Sequence, residues 1–360
     1  MNKLKMEFAK IDFMTAITFF SSPIGLGHAT RDIAIAQHLE NISTLFVSGA
    51  SAADLFKKYG YNVKNVYTPS QFNVQNGSLQ SPLKWLWKYY NYYKDCKLIS
   101  SKIIKDEKPE LVISDEDFAS LTIAQEQKIP TVLITDILET RFTRGISSLI
   151  EKRMNRSMRK IMKKCDVIIL PENGQDKENI KYVGPIVRTT RYTREDLKEK
   201  FSFTKKTIVV SIGGTNAGKF LIQKTLEAFS KLKDDVELVI VTGPSLKNDF
   251  TKNIRNLGFV ENLHEIIYAA DVVISLAGKS TIDESKAYGT PGIFIPIKGH
   301  FEQEDNAKQE GFSFEDINRL EPLIAEKLTT KRNPLSCNGA MKAANIIRRF
   351  MTEHNDKPNN

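Results

Sequence analysis

The sequence predicts an α/β protein built from two doubly wound parallel sheets. Short β-branched apolar runs recur along the chain with amphipathic stretches between them, the alternation expected of strands buried on both faces and covered by helices. The runs also fall into two series. A Gly-Pro and a cluster of charges in 183–206, "VGPIVRTTRYTREDLKEKFSFTKK", separate them. A length of 360 residues favours two domains over one core.

The first series holds "TAITFF" (15–20), "STLFVSG" (43–49), "ELVISD" (110–115), "PTVLITD" (130–136) and "DVIILP" (166–171). The second holds "TIVVSIGG" (207–214), "VELVIVTG" (236–243), "DVVISLAG" (271–278) and "PGIFIPI" (291–297). The expected organisation is a first domain over 1–187, a linker over 188–204 and a second domain over 205–337. A last helix over 338–352 crosses back to the first domain, and 353–360 is a flexible tail.

Composition narrows the class. No apolar run approaches the roughly 20 residues of a membrane span, and the N-terminus lacks a small-residue cleavage site. Cys96, Cys165 and Cys337 are scattered, which fits a reducing cytoplasm and no zinc motif. A net charge of +9 favours anionic partners.

Three glycine-bearing loops follow strands, where parallel sheets bind their ligands. They are "SSPIGLGHATR" (21–31), "SIGGTNAGK" (211–219) and "SLAGKSTIDE" (275–284). Glycine lets a ligand approach the backbone, and the N-terminus of the following helix suits phosphate. Such turns are also used for purely structural reasons. The middle loop is not a nucleotide-triphosphate P-loop, because Gly218-Lys219 is followed by Phe220 rather than a hydroxyl residue. In the third loop, Ser280 or Thr281 followed by Glu284 reads either as a capping box or as a diphosphate and ribose site. Glu302, Gln303, Asp305 and Asn306 then follow a strand. They are dense in groups that read sugar hydroxyls, or they form a solvated helix start.

"GKSTIDESKAYGTPGIFIP" with "EQEDNA" downstream resembles the donor-binding half of GT-B glycosyltransferases. The nearest likeness is to the bacterial family that adds N-acetylglucosamine to lipid-linked muramoyl peptide, and to its archaeal relatives. "GLGHATRD", "KPELVISD", "KYVGPIVR", "SIGGT" and "FVENLHEIIYAADVVIS" match in the same order, covering nearly residues 15–310. The resemblance implies two Rossmann-like domains facing a cleft. It also implies inverting, metal-independent transfer of a sugar from a nucleotide-sugar, a UDP-sugar above all, to a hydroxyl acceptor that is lipid-linked or a glycan. The donor is a co-substrate, and no cofactor is implied. "DED" (115–117) has the spacing of a metal motif but lies in the first domain.

The resemblance also implies residue roles. Phe259 and Val260 meet the base; Gly278, Ser280 and Thr281 bind the diphosphate; Glu284 holds the ribose. Gln303 and Glu302 touch the donor sugar, while Gly214 and Thr215 close over the phosphates. Leu276 stands where related glucosyltransferases carry a phosphate-binding His, and Lys279 where the lipid-linked family is usually small. His28, one of five histidines, is the expected general base near neutral pH, oriented by Asp115. The other reading is a histidine that caps the helix or lines the cleft. Gly27 and Arg31 are placed at the acceptor, Arg31 near enough to hold a phosphate.

Residues 150–165, "IEKRMNRSMRKIMKKC", set Ile150, Met154, Met158, Ile161 and Cys165 on one stripe among lysines and arginines. Residues 82–94, "PLKWLWKYYNYYK", hold both tryptophans among lysines. Basic and aromatic side chains together suit peripheral association with an anionic membrane, here the inner face of the cell membrane. Each segment also reads as an ordinary core-facing helix. Nucleic acid is not expected, since no recognised module is present. Two other functions remain open: a nucleotide-sugar hydrolase of the same architecture, and a non-catalytic glycan- or lipid-binding module.

Overall fold

The computed structural model describes residues 16–143, 145, 148–213, 218–232, 235–242 and 254–355. The first half runs β1 (Ile17–Ser21), α1 (Gly27–Ala36), β2 (Thr44–Ser48), α2 (Ala50–Lys58), β3 (Val63–Asn65), β4 (Val74–Gln75), β5 (Ser78–Leu79) and α3 (Pro82–Glu107). It continues through β6 (Leu111–Asp115), α4 (Phe118–Glu126), β7 (Thr131–Ile134), α5 (Ser148–Met162), β8 (Val167–Leu170) and β9 (Ile180–Tyr182). The second half runs α6 (Arg194–Lys200), β10 (Lys206–Ser211), α7 (Lys219–Phe229), β11 (Val236–Val241), β12 (Ile254–Asn256), α8 (Leu263–Ala269) and β13 (Val272–Leu276). It ends with α9 (Lys279–Tyr288), β14 (Gly292–Ile295), α10 (Phe301–Gln309), α11 (Leu320–Lys327) and α12 (Gly339–Asn355).

Two parallel sheets result, in the orders β3-β2-β1-β6-β7-β8-β9 and β12-β11-β10-β13-β14. Their strands are apolar on both faces. Phe19 packs in the cluster of Ile33, Phe46 and Ile113, whereas Phe20 packs on the other face with Leu45, Val47 and Val112. Ile208 and Val210 likewise share one cluster, and Val209 joins Val239 and Leu197 in another. All nine expected strands are present. The strands the pattern missed are β3, β9, β12 and the β4–β5 hairpin. Each is two or three residues long and only partly buried, so none carries a continuous apolar run.

The halves are joined in several places. The hairpin β4–β5 reaches over to the second half, where Leu79 N donates to the Lys298 carbonyl and Lys298 N to that of Gly77, each at 2.8 Å. The stretch expected as a linker over 188–204 contains α6, started by a Thr193–Asp196 capping box and anchored by buried Leu197 in the second half's core. Helix α12 returns to the first half, burying Ala343, Ala344 and Ile347 beside α1. All three cysteines are free thiols.

Candidate active site

In each sheet the strand order reverses at one point, and ligands bind beyond the carboxyl ends of strands there. The first reversal lies between β1 and β6, the second between β10 and β13. Register pairs Ser21 at the end of β1 with Asp115 at the end of β6. The loop after β1 delivers His28 to the first turn of α1, and the loop after β13 leads into α9. The two ends face each other around a cavity of about 300 Å³ bordered by Gly27, His28, Glu116, Gly278, Ser280 and Glu302. The Ser280 hydroxyl spans it to the Gly27 carbonyl at 3.2 Å.

The first-half wall is a network of buried charges. His28 Nδ1 and Asp115 Oδ1 are 2.8 Å apart, and His28 Nε2 lies 3.9 Å from Glu116 Oε2. Burial alone lowers the His28 pKa, but the Asp115 and Glu116 carboxylates prevail and push it up to about 9. Burial works against the Asp115 carboxylate in turn, while Arg31 and His28 hold its pKa at about 2. Arg31 gives Nε and Nη2 to the two Asp115 oxygens, at 2.8 and 2.5 Å, and sets Nη1 3.6 Å from Asp136. At 5% exposure the Arg31 guanidinium is held inside the network, while the residue also borders the cavity on the side where the acceptor is expected. Leu26 is the N-cap of α1 and no side chain caps the helix, so His28 does not cap it. Glu116 follows Asp115 with φ +57° and fixes its carboxylate on the Thr135 hydroxyl at 2.9 Å. Glu302 reaches this network from α10. Burial, and then Asp136, push its pKa up to about 7.

The second-half wall is the start of α9. Gly278 is the N-cap and no side chain caps the helix, which excludes the capping-box reading of Ser280, Thr281 and Glu284. The first N–H groups of the helix are therefore left for a ligand. A Cβ at Gly278 would meet nothing within 4 Å, so this turn is open on its outer side. Lys279 borders the cavity and pairs with Asp283 at 2.5 Å. Glu284 borders the cavity and accepts from Arg188 Nε at 2.9 Å. Phe259 and Val260 border it as well; Phe259 carries Lys58 4.8 Å above its ring. Gln303 keeps its side-chain carbonyl on Ile297 N at 3.0 Å. Gly214 and Thr215 lie outside the described residues.

The aromatic helix α3 divides its side chains. Trp85 stacks on Phe72 and Tyr89 and borders the cavity, while Leu83, Trp87 and Tyr90 are exposed. Helix α5 sets Met154 and Met158 on the cavity and leaves Lys152, Arg153, Arg156 and Lys160 exposed. Ile150, expected on one stripe with Met154 and Met158, is 60% exposed. Sequence reasoning missed Arg188, Glu116 and Asp136. Glu116 was in view as the middle of "DED", and Arg188 as the last residue of "KYVGPIVR".

Residues 207–333 match the glycosyltransferase family 28 C-terminal domain. An uncharacterized glycosyltransferase of Methanosarcina acetivorans is 29% identical over 325 residues, covering 82% of this chain and 84% of that protein. At 28% identity over 70% of each chain, a second relative comes from Oceanobacillus iheyensis. It is named UDP-N-acetylglucosamine–N-acetylmuramyl-(pentapeptide) pyrophosphoryl-undecaprenol N-acetylglucosamine transferase. The crystal structure of the kitacinnamycin glycotransferase superposes with a TM-score of 0.67 over 93% of this chain and 98% of that one. At 13% identity, it is a likeness of fold.

Proposed function

We propose that this chain, a glycosyltransferase of the GT-B fold, moves a sugar from a UDP-sugar to the hydroxyl of a lipid-linked acceptor with inversion at the anomeric carbon. The donor and acceptor classes follow the name of the Oceanobacillus relative. The observation that carries the reading is the opposition of the uncapped start of α9 to the His28–Asp115 pair across one cavity.

In this reading the second half holds the donor. Val260 and Phe259 meet the base, Glu284 accepts from the ribose, and Glu302 and Gln303 face the sugar. N–H groups at the start of α9, with Ser280 and Thr281, take up the charge that grows on the departing diphosphate, and no metal is needed for that. The loop of Gly214 and Thr215 belongs to the same phosphate site. The acceptor lies against Gly27 and the first half. Its oxygen bonds to the anomeric carbon as the bond to the diphosphate breaks, and its proton passes to His28 Nε2 while Asp115 holds Nδ1–H. With the His28 pKa near 9, the base form accumulates on the alkaline side rather than near neutrality.

The acceptor side is also where the enzyme meets a membrane in this proposal. Leu83, Trp87 and Tyr90 are exposed on α3, and Leu149 and Ile150 are exposed on α5, which also carries the basic residues Lys152, Arg153, Arg156 and Lys160. Apolar rings at headgroup depth and cations against acidic lipid give peripheral binding on the cytoplasmic face. Among the described residues no helix is long and apolar enough to cross a membrane.

The test is UDP release from a panel of UDP-sugars, with and without a polyprenyl-diphosphate-linked acceptor in vesicles. Release that requires the acceptor is expected. Equal release without it would assign hydrolysis instead, and no binding of UDP by calorimetry would leave only a binding module.

A further inference from the structure

We propose that Arg188 is the positioning residue that fixes Glu284 for the donor ribose, so that the site selects ribonucleoside over 2′-deoxyribonucleoside diphosphate donors. The inference rests on the reading of Glu284 as the ribose acceptor.

Arg188 lies where the chain leaves the first half, 2% exposed. The residue is held at its backbone and at its side-chain tip. The Tyr288 hydroxyl, from the last turn of α9, donates to the Arg188 carbonyl at 2.8 Å. At the other end the guanidinium gives Nε to Glu284 Oε1 at 2.9 Å and Nη1 to the Glu261 carbonyl at 2.8 Å. Glu261 directly follows Phe259 and Val260, so one planar group ties the expected base segment to the expected ribose carboxylate. Nη1 also lies 3.4 Å from the hydroxyl of Tyr59, the C-cap of α2, which itself donates to Asn262 at 2.7 Å.

A glutamate on a helix ordinarily samples several rotamers. Here one oxygen is pinned inside the protein while the residue still borders the cavity. A pinned carboxylate offers its remaining lone pairs in one fixed direction, which suits two neighbouring hydroxyls and penalises a sugar that lacks one. A site built around a hydroxyl rejects the analogue without it, because its own acceptor is then left unpaired. Lysine in place of Arg188 would keep the charge and lose the fork that holds Glu284 and the Glu261 carbonyl in one plane.

The experiment is calorimetric binding of UDP and 2′-deoxy-UDP to the parent, Arg188→Lys and Glu284→Gln. The parent should prefer UDP by about tenfold or more, the worth of a hydrogen bond to a charged acceptor. Arg188→Lys should bring that preference to about threefold or less, chiefly by weakening UDP. If Arg188→Lys keeps the parental preference, the inference is overturned, including when both ligands weaken equally. Should that variant not fold, Tyr288→Phe decides in its place; it keeps the ring and frees the Arg188 carbonyl. If the parent shows no preference, or Glu284→Gln retains it, the ribose reading fails and the inference with it. Loss of preference in Glu284→Gln alongside full preference in Arg188→Lys removes Arg188 only.

Discussion

Ser280 and Gly27 bring the first turns of two helices from opposite halves into contact, the hydroxyl donating to the carbonyl at 3.2 Å. A Cβ on Gly27 would lie 3.0 Å from that oxygen. Alanine is tolerable there because the hydroxyl can rotate away, but a branched side chain is not. Gly27→Val should lower kcat/KM by an amount equivalent to about 1–3 kcal/mol, the usual cost of overpacking. Adding Ser280→Ala should recover part of the loss. Parental kcat/KM in Gly27→Val would show that the two helix starts do not need this approach.

His28→Ala should reduce kcat by roughly 10²–10⁴-fold, the contribution of a positioned base, and leave UDP affinity nearly unchanged. Because the pKa of His28 is pushed up to about 9, the single-turnover rate of the parent should climb through pH 9. Asp115→Asn removes the main carboxylate responsible and should move that limb toward lower pH. A parental rate in His28→Ala at every pH would remove His28 from the chemistry.

The same shift has a sign in stability. The folded protein binds the His28 proton more tightly than an ordinary histidine of pKa 6.5 does. That stabilisation is complete below pH 6.5 and is lost as pH rises through about 9, amounting to about 3 kcal/mol. The raised Glu302 carboxyl, with a pKa of about 7, loses its own contribution at lower pH, before this range ends. Urea unfolding between pH 7 and 10 should therefore show a steeper decline in the parent than in His28→Gln. Parallel curves would mean that the carboxylates do not hold the proton.

Acidic liposomes should sediment the protein at low salt and release it at high salt, since each Lys or Arg near the surface contributes on the order of 1 kcal/mol and salt screens it. Reversing Arg153, Arg156 and Lys160 to Glu should abolish sedimentation, and Trp87→Ser should weaken it at both salt levels. Equal recovery with acidic and neutral liposomes would contradict membrane binding through α5.

The central strands were legible because burial on both faces leaves a continuous apolar run, as in Ile208–Val210. Edge strands such as Val63–Asn65 carry no such run, and only pairing with Phe46–Ser48 makes them strands. His28 and Asp115 were legible as loop and strand ends, and adjacency of β1 and β6 brings them together. The capture of Arg31 by Asp115 was not legible, because helical spacing shows where a side chain starts and not which carboxylate it meets. Arg188 was passed over for a related reason: its partner Glu284 is 96 positions away, and only the packed second half brings them together.

Helix α12 supplies Ala340, Ala343, Ala344 and Ile347 to the hydrophobic face that also contains Ile17, Ile33 and Ile134. Its first residue is wedged against the outgoing connection, where a Cβ on Gly339 would strike the Pro185 carbonyl. On the ribosome, β1 to β9 emerge first together with α1 and α2, yet the part of this sheet face that α12 covers stays open until residues 339–355 have been made. The second half has all its strands earlier and can close its own core while synthesis continues. The half translated first is therefore finished last, and a nascent chain stalled before residue 339 presents an apolar sheet face to chaperones and proteases.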